Sequence, residues 1–401
     1  MSLLPVDEAL KRVVAGLNPT QVEPVPIGEA HGRVLAEDVA ARITQPPFDS
    51  SSMDGYAVRI ADIATIPAKL RVIGEAGAGH AFEGHVGEGE AARIFTGAPL
   101  PDGADTVVIQ ENTERDGEVV TVLEGATKGD FIRPSGMDFS ERQTLLEAGR
   151  RLTSRDVALA ASMNHATVMV HRRPVVAILS TGDELVPPGE TPNPDQIISS
   201  NGFGIAGIAE QAGGQPELLG IAKDTLESLA AHVDHASGAD ILVTIGGASV
   251  GEHDLVQQAL EDHGLALDFW KIAMRPGKPL MYGEMAGQRV LGVPGNAVSA
   301  LLCARIFLVP MIRRLLGLPD GGDMPQRAQL AAEIEANGPR QHYMRATSTR
   351  GDNGMLQVTP VRDQDSSLIS LLARADCLIV RPPHAPAEEA GAQVDVLPLD
   401  F

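Results

Sequence analysis

Four short loops hold the residue types best suited to chemistry. Thr181-Gly182-Asp183-Glu184 places two carboxylates behind a glycine, and Gly246-Gly247-Ala248-Ser249-Val250-Gly251-Glu252-His253-Asp254 runs glycines into acids. Arg275-Pro276-Gly277-Lys278-Pro279 brackets a proline–glycine turn with two cations, and Pro294-Gly295-Asn296 joins a tight turn to an amide. A glycine turn ahead of a helix points backbone N–H groups at one spot and lets the backbone approach an oxyanion closely. The Gly246-Gly247 loop has that form, with a helix expected to begin near Glu252; a ligand-free strand-to-helix turn would read the same way. It is not a Walker loop, because no Gly-Lys-Ser/Thr follows. Arg275 offers planar bidentate contacts to an oxyanion and Lys278 a point charge, although two solvated cations would share the spacing. Asp183, Glu184, Glu252 and Asp254 beside such an anion suit Mg2+. Glu252 and Asp254 equally suit the first-turn N–H groups of a helix, as Asn296 suits an N-cap. Ser50-Ser51-Ser52-Met53-Asp54-Gly55-Tyr56, Thr96-Gly97-Ala98-Pro99 and the trio Arg133, Gly136 and Asp138 are also dense in polar groups, and turn chemistry accounts for each alone. No HExxH motif is present.

The elements around these loops must bring them together. VVAILSTG, LLGIAKD, ADILVTIGG and RVLGVPG read as buried strands. ISSNGFGIAGIAEQAGG, DTLESLAAHVDHAS, DLVQQALEDHG and NAVSALLCARIFLVPMIRRLLG read as helices between or after them. The alternation predicts a parallel sheet with helices on both faces over 172–318. All four loops then leave the carboxyl edge of that sheet, where doubly wound folds bind ligands. Residues 46–140 alternate over short runs such as DTVVIQENT and predict an inserted antiparallel β domain. The flanks, 1–45 and 141–171, predict a discontinuous helical linker domain: Val6, Ala9, Leu10, Val13, Val14 and Leu17 make a helical stripe, and Ser154 is the expected N-cap of a second helix. Residues 319–401 predict a small β-barrel-like C-terminal domain with strands in QLAAEI, MLQVTP, DCLIVRP and QVDVLPL. The fold class is therefore multidomain, α/β plus β, with a three-layer central domain.

Composition narrows the partners. The chain has 401 residues and a net charge of −21, which disfavours nucleic acid and anionic membrane surfaces. The longest apolar stretch, Val298 to Ile312, is broken by Arg305 and Pro310, so no transmembrane span is expected. The acidic start MSLLPVDEALKRVV does not read as a secretory leader, and a cytoplasmic protein is expected. Two cysteines, Cys303 and Cys377, far apart in sequence, give no support to a disulfide scaffold or a cysteine zinc site. The 42 glycines point to many tight turns. The acidity is uneven: Lys271 to Arg305 holds five basic residues and one acid, a local +4 that suits a small anion.

Taken together, PPFDSSSMDGYAVR, RIFTGAPLPDGADTVVIQE, IRPSGMD, ILSTGDELVPPG, GGASVGEHD, WKIAMRPGKP and GVPGNAVSA resemble, in order, the molybdopterin molybdenumtransferases, the family of MoeA and the gephyrin E domain. The resemblance runs from about residue 5 to the C-terminus. It implies the four domains above and an elongated homodimer whose site lies between the α/β domain of one subunit and the β insertion of the other. It implies a reaction of adenylylated molybdopterin with molybdate, in which AMP leaves and molybdenum enters the dithiolene. Asp54, Thr96, Asp138, Glu184, Asp224 and Asp254 would be the functional polar set, with Glu184 and Asp254 on Mg2+. Gly246, Gly247, Ser249, Lys271, Arg275, Lys278, Pro294, Asn296 and Ser366 would bind substrate. Transient contact with other cofactor-biosynthesis proteins is a further implication.

The sequence departs from the family pattern at Ser199, where an aspartate is usual, and at Ala248, Arg275, Ala297 and Asp365. Two other readings remain open at this point: a molybdopterin adenylyltransferase, and a non-catalytic molybdopterin-binding scaffold.

Overall fold

The structure is a computed structural model that describes residues 3–247, 255–319, 325–351 and 354–401. The chain forms two compact units, one of residues 1–23, 32–36 and 170–401, the other of 24–31 and 37–169. Among the described residues no helix is long and apolar enough to cross a membrane.

The first unit starts with α1 (Val6–Val14), which buries Val6, Ala9 and Val13 as the stripe predicts. Asp7 and Glu8 lie in its first turn and Lys11 and Arg12 in its last, each complementing the helix dipole. A six-stranded sheet follows, built on β1 (Val175–Thr181), β2 (Gln215–Ala222), β3 (Ile241–Ile245), β4 (Ala266–Lys271), β6 (Pro279–Met285) and β7 (Gln288–Val293), in the order β2-β1-β3-β7-β6-β4. Strand β5 (Met274–Arg275) sits apart, between β4 and β6 in the chain. Strands β2, β1, β3 and β7 are parallel. Their runs are apolar on both sides because both faces are covered. Ile178, Val243 and Leu291 pack with α2 (Asn201–Ala212) and the helices after β7, while Leu179, Leu242 and Val290 pack with α3 (Leu226–His235) and α4 (Leu255–Asp262).

Two parts of this unit depart from the expected pattern. β6 is antiparallel to both β7 and β4, so the parallel core carries an antiparallel edge. Its hairpin turns at Ala286 (φ 49°) and Gly287 (φ 84°). That turn lacks the Asn or Asp that signals a two-residue hairpin, which hid the strand. The long helix expected after Asn296 is instead α5 (Ala297–Cys303), a π-turn over Ala304–Leu308 and α6 (Val309–Leu315). Pro310 has no N–H to give the carbonyl four residues back, and the ladder shifts register there.

The C-terminal strands β8 (Gln326–Leu330), β9 (Gln341–Arg350), β10 (Leu356–Pro360), β11 (Cys377–Arg381) and β12 (Gln393–Pro398) close into a barrel in the order β9-β10-β8-β12-β11 and back to β9. Leu330, Ala346, Val358, Ile379 and Val396 fill it. β9 was not legible as a strand, because two of its buried residues are His342 and Arg345. It also pairs in parallel with β5, which ties the Arg275 turn to the barrel.

The second unit is built on a six-stranded sheet, in the order Thr106–Ile109, Gly55–Val58, Glu90–Ile94, Ala68–Ala76, Val119–Val122, Thr113–Asp116. It is antiparallel except for one pair, Ala68–Ala76 with Glu90–Ile94, which is parallel. A helix spans Ser154–Ser162, and its N-cap is Thr153 rather than Ser154. Thr153 and Asp156 form a reciprocal capping box, and a carboxylate three residues on favours the threonine for that role.

Candidate functional site

The sheet edge forms where β1, β3, β7 and β4 end. Ser180 is level with Ile245, Ile245 with Val293, and Lys271 with Pro279. Thr181–Glu184, Gly246–Gly247, Pro294–Asn296, Lys271 and Lys278 therefore leave one edge, as the βαβ reading predicts. Ser249, Glu252 and Asp254 lie outside the described residues.

Gly246 fits its place because nothing larger would. Its φ is +92°, and a Cβ there would stand 2.9 Å from the Thr181 carbonyl oxygen. Its N–H donates to Val293 O at 3.1 Å, so three strand ends meet on one glycine. Gly247 is also left-handed, at φ 64°. Glycines at positive φ let the backbone approach an anion closely.

The carboxylates sit beside this turn. Glu184 folds over Gly182, where a Cβ would be 2.3 Å from its Oε2. The Asp183 N–H donates to Asp224 Oδ2 at 3.4 Å, and the Asp224 N–H donates to Asp183 Oδ1 at 3.2 Å. This exchange brings Asp224, from the end of β2, to the same edge. Magnesium takes one or two carboxylates and completes its shell with phosphate oxygens and water. Glu184 and Asp224 match that donor chemistry, although no three acidic, histidine or cysteine side chains converge among the described residues.

Arg275 and Lys278 flank a cis Arg275-Pro276 bond and Gly277 at φ 105°. A Cβ on Gly277 would be 2.6 Å from the buried Cys303 Sγ, so the turn lies tight against α5. Arg340 Nη1 donates to Met274 O at 3.4 Å from the barrel side. Lys271 places its ammonium 5.4 Å from the Trp270 ring centroid.

Asn296 occupies the N-cap position of α5, yet its side chain caps nothing. Its Nδ2 donates instead to Ser366 Oγ at 2.8 Å. The Gly295 carbonyl accepts from Asn201 Nδ2 at 2.7 Å, which links this turn to the start of α2. Arg345 is 1% exposed and sequence reasoning passed over it. Its guanidinium donates to the carbonyls of Asp363, Asp365 and Leu368 and so shapes the loop that carries Ser366. Ser199, at one of the departures, is buried and donates to Ser180 Oγ at 3.4 Å. It lines a cavity of about 450 Å3 with Asp183, Phe203 and Lys223.

The second unit holds its own polar surface. Asp54 Oδ1 accepts from the Thr96 N–H at 2.8 Å and from the Thr96 hydroxyl at 2.9 Å. These bonds, with Arg93 nearby, hold the Asp54 carboxyl below the usual carboxylate range. Arg93 lies over the Tyr56 and Phe95 rings at 5.1 and 4.8 Å, a contact sequence reasoning also missed. The Gly97 N–H donates to Ser51 O, and Arg133 pairs with Ser50 across a short two-stranded ladder, so the three polar segments are neighbours. Phe48, Met53, Phe131 and Met137 are exposed on or beside those segments.

Comparison with known proteins gives full coverage. A family profile described as MoeA N-terminal region (domain I and II) matches residues 4–164, one described as probable molybdopterin binding domain matches 177–314, and one described as MoeA C-terminal region (domain IV) matches 327–399. The chain is 36% identical over 388 residues to a molybdopterin molybdenumtransferase of Nostoc sp., covering 94% of this chain and 88% of that protein. It is 34% identical over 402 residues to the Haemophilus influenzae molybdopterin molybdenumtransferase, covering 99% of both. A crystal structure of a molybdopterin biosynthesis MoeA protein from Pyrococcus horikoshii superposes with a TM-score of 0.84 at 33% identity, over 98% of each chain.

Proposed function

This chain belongs to the MoeA family of molybdopterin molybdenumtransferases, enzymes that insert molybdenum in cofactor biosynthesis, and we propose that it acts on adenylylated molybdopterin and molybdate with release of AMP. The observation that carries this reading is the shared sheet edge: a left-handed glycine pair, a cationic turn and paired carboxylates at the ends of four strands. Coverage of the transferases at both ends favours it over an adenylyltransferase, and the cationic turn favours turnover over mere scaffolding.

The residues divide the work by their chemistry. Gly246, whose own N–H is held by Val293 O, lets the backbone come close to the substrate phosphates, and Gly247 offers them an N–H, with Ser249 adding a hydroxyl. Lys271, Arg275 and Lys278 neutralise phosphate and molybdate charge, and Arg275 is suited to two parallel contacts. Pro294 and Asn296 shape the floor of the edge, with Ser366 closing it from the barrel. Glu184, Asp224 and Asp254 would hold Mg2+, which would offset charge on the phosphoryl oxygens. Water attacks the adenylyl phosphorus, the bond to the pterin phosphate oxygen breaks, and AMP leaves with the pterin phosphate as the second product and a proton passed to solvent; the two dithiolene thiols then replace one molybdate oxide, which departs as water with their protons.

The enzyme works in the cytoplasm as a homodimer, with transient contacts to other cofactor-biosynthesis proteins. Asp54, Thr96 and Asp138 complete the site of the second protomer. An exposed apolar set around three polar segments supports such a contact, because monomers seldom leave such residues grouped. The Thr96 hydroxyl is already given to Asp54, which makes Thr96 a clamp on that carboxylate.

The test is turnover by the purified protein with adenylylated molybdopterin, molybdate and Mg2+. AMP should appear together with active cofactor, and both should fall when Mg2+ is chelated. AMP release no greater than that of Glu184→Ala would overturn the reading.

A further inference from the structure

The Asp54 carboxylate is held by one oxygen. Both Thr96 bonds end on Oδ1, and among the described residues no hydrogen bond or ion pair reaches Oδ2. The backbone on either side is fixed. The Asp54 carbonyl accepts the Gln110 N–H at 3.0 Å. Gly55 pairs with Ile94 and Ile109 on its two flanks, and a Cβ there would stand 2.0 Å from Val108 O, so the strand packs tightly where Asp54 enters it.

Arg93 joins these pieces. It is the cross-strand partner of Tyr56. Its Nη1 donates to Gly55 O at 3.2 Å and its Nη2 to Gln110 Oε1 at 2.6 Å. Its guanidinium carbon lies 5.1 Å from the Tyr56 ring centroid and 4.8 Å from that of Phe95. One side chain thus meets the residue after Asp54, the residue before Thr96, and the residue whose N–H holds the Asp54 carbonyl. A guanidinium free to move pairs with a carboxylate in its reach through two parallel bonds. Here two rings and an amide oxygen occupy it, and among the described residues Arg93 makes no ion pair. Its charge still acts at a distance, adding to the lowering of the Asp54 carboxyl after the two Thr96 bonds.

We propose that Arg93 is the positioning residue of Asp54: pinned by Tyr56, Phe95 and Gln110, it braces the backbone around that carboxylate and leaves Oδ2 open to accept a hydrogen bond from substrate or water. This rests on the reading that Asp54 completes the site of the second protomer. The brace matters because a misplacement of about 1 Å costs a reacting group about a hundredfold in rate. A lysine would keep the charge, but a single ammonium does not bridge Gly55 O and Gln110 Oε1 as the planar fork does. The effect of Arg93 reaches the reaction only through Asp54.

The experiment is AMP release by the full-length protein, with Arg93→Met, Arg93→Lys and Gln110→Ala each made in the wild type and in Asp54→Ala, and single turnovers used where activity is low. Methionine keeps the length and a soft contact with the rings but loses both donors. Arg93→Met should lower kcat by about tenfold or more with KM for the pterin substrate unchanged. Arg93→Lys should stay close to Arg93→Met, and Gln110→Ala should show a smaller fall in the same parameter. In Asp54→Ala none of the three should reduce the residual rate further, because the group they position is gone. Melting temperatures report the folded fraction of each variant. Wild-type kcat in Arg93→Met, full recovery in Arg93→Lys, or an equal further loss in the Asp54→Ala background would overturn the positioning role and leave that of Asp54 standing. Where Arg93→Met does not fold, wild-type kcat in both Arg93→Lys and Gln110→Ala overturns it in the same way. Wild-type turnover by Asp54→Ala, or no AMP release by the wild type, would overturn both readings.

Discussion

The side-chain amide of Asn296 donates to the Ser366 hydroxyl at 2.8 Å, and the Ser366 carbonyl accepts the Val298 N–H at 3.0 Å. A loop of the C-terminal barrel thus supplies the cap that Asn296 would otherwise give α5. The barrel thereby becomes part of the sheet edge, held by Arg345 through three backbone carbonyls.

That relationship predicts coupling. Asn296→Ala and Ser366→Ala should each lower stability by about 1 kcal/mol or less, because the pair is neutral. The double variant should be no worse than the poorer single one, and both singles should raise KM for the pterin substrate. A double-mutant cycle from urea unfolding checks this. Strictly additive losses would show that the two side chains do not act together.

Gly246→Ala should be costlier than an ordinary left-handed glycine. Gly238 has the same φ of 92° and open space around its absent Cβ, whereas a Cβ on Gly246 would press on Thr181 O. Gly238→Ala should cost about 1 kcal/mol and Gly246→Ala about 2 kcal/mol or more. Denaturant midpoints of the two variants separate strain from close approach, and equal losses would remove the packing argument.

Asp54 should shape the acid limb of stability. Its folded pKa is lowered by the Thr96 N–H and hydroxyl. A lowered carboxylate contributes stability above its unfolded pKa of about 3.9, and loses it as pH falls through the folded value. Melting temperatures of the wild type should therefore drop more steeply than those of Asp54→Asn below about pH 4. Parallel acid limbs would mean that the Asp54–Thr96 bonds do not persist in solution.

The proposed sharing of the site between protomers has a simple signature. Asp54→Ala and Lys278→Ala should each be nearly inactive alone. When the two are unfolded, mixed and refolded, random pairing should restore about a quarter of wild-type activity, since one site in each mixed dimer is intact. No recovery in a mixture shown to contain mixed dimers would place Asp54 and Lys278 in different roles.

Much of this protein was legible in its residues. The apolar runs Val176–Leu179 and Ile241–Ile245 are buried strands, the stripe Val6, Ala9 and Val13 is the inner face of α1, and the glycine, cation and carboxylate loops leave one sheet edge. Periodicity and turn chemistry are local properties, so the order of residues is enough to express them. Other features depended on partners far along the chain. The β6 hairpin turned without its usual residues, Thr153 took the cap because Asp156 answered it, and Asn296 gave its amide to Ser366 rather than to α5. Sequence reasoning passed over His342 and Arg345, which the fold buries. Their neighbours on β5 and β11 are set by strand register, which no spacing within β9 encodes. The sequence alone determined which groups could meet an oxyanion and on which edge; only the tertiary fold decided which side chains meet across strands, because that depends on how the strands align.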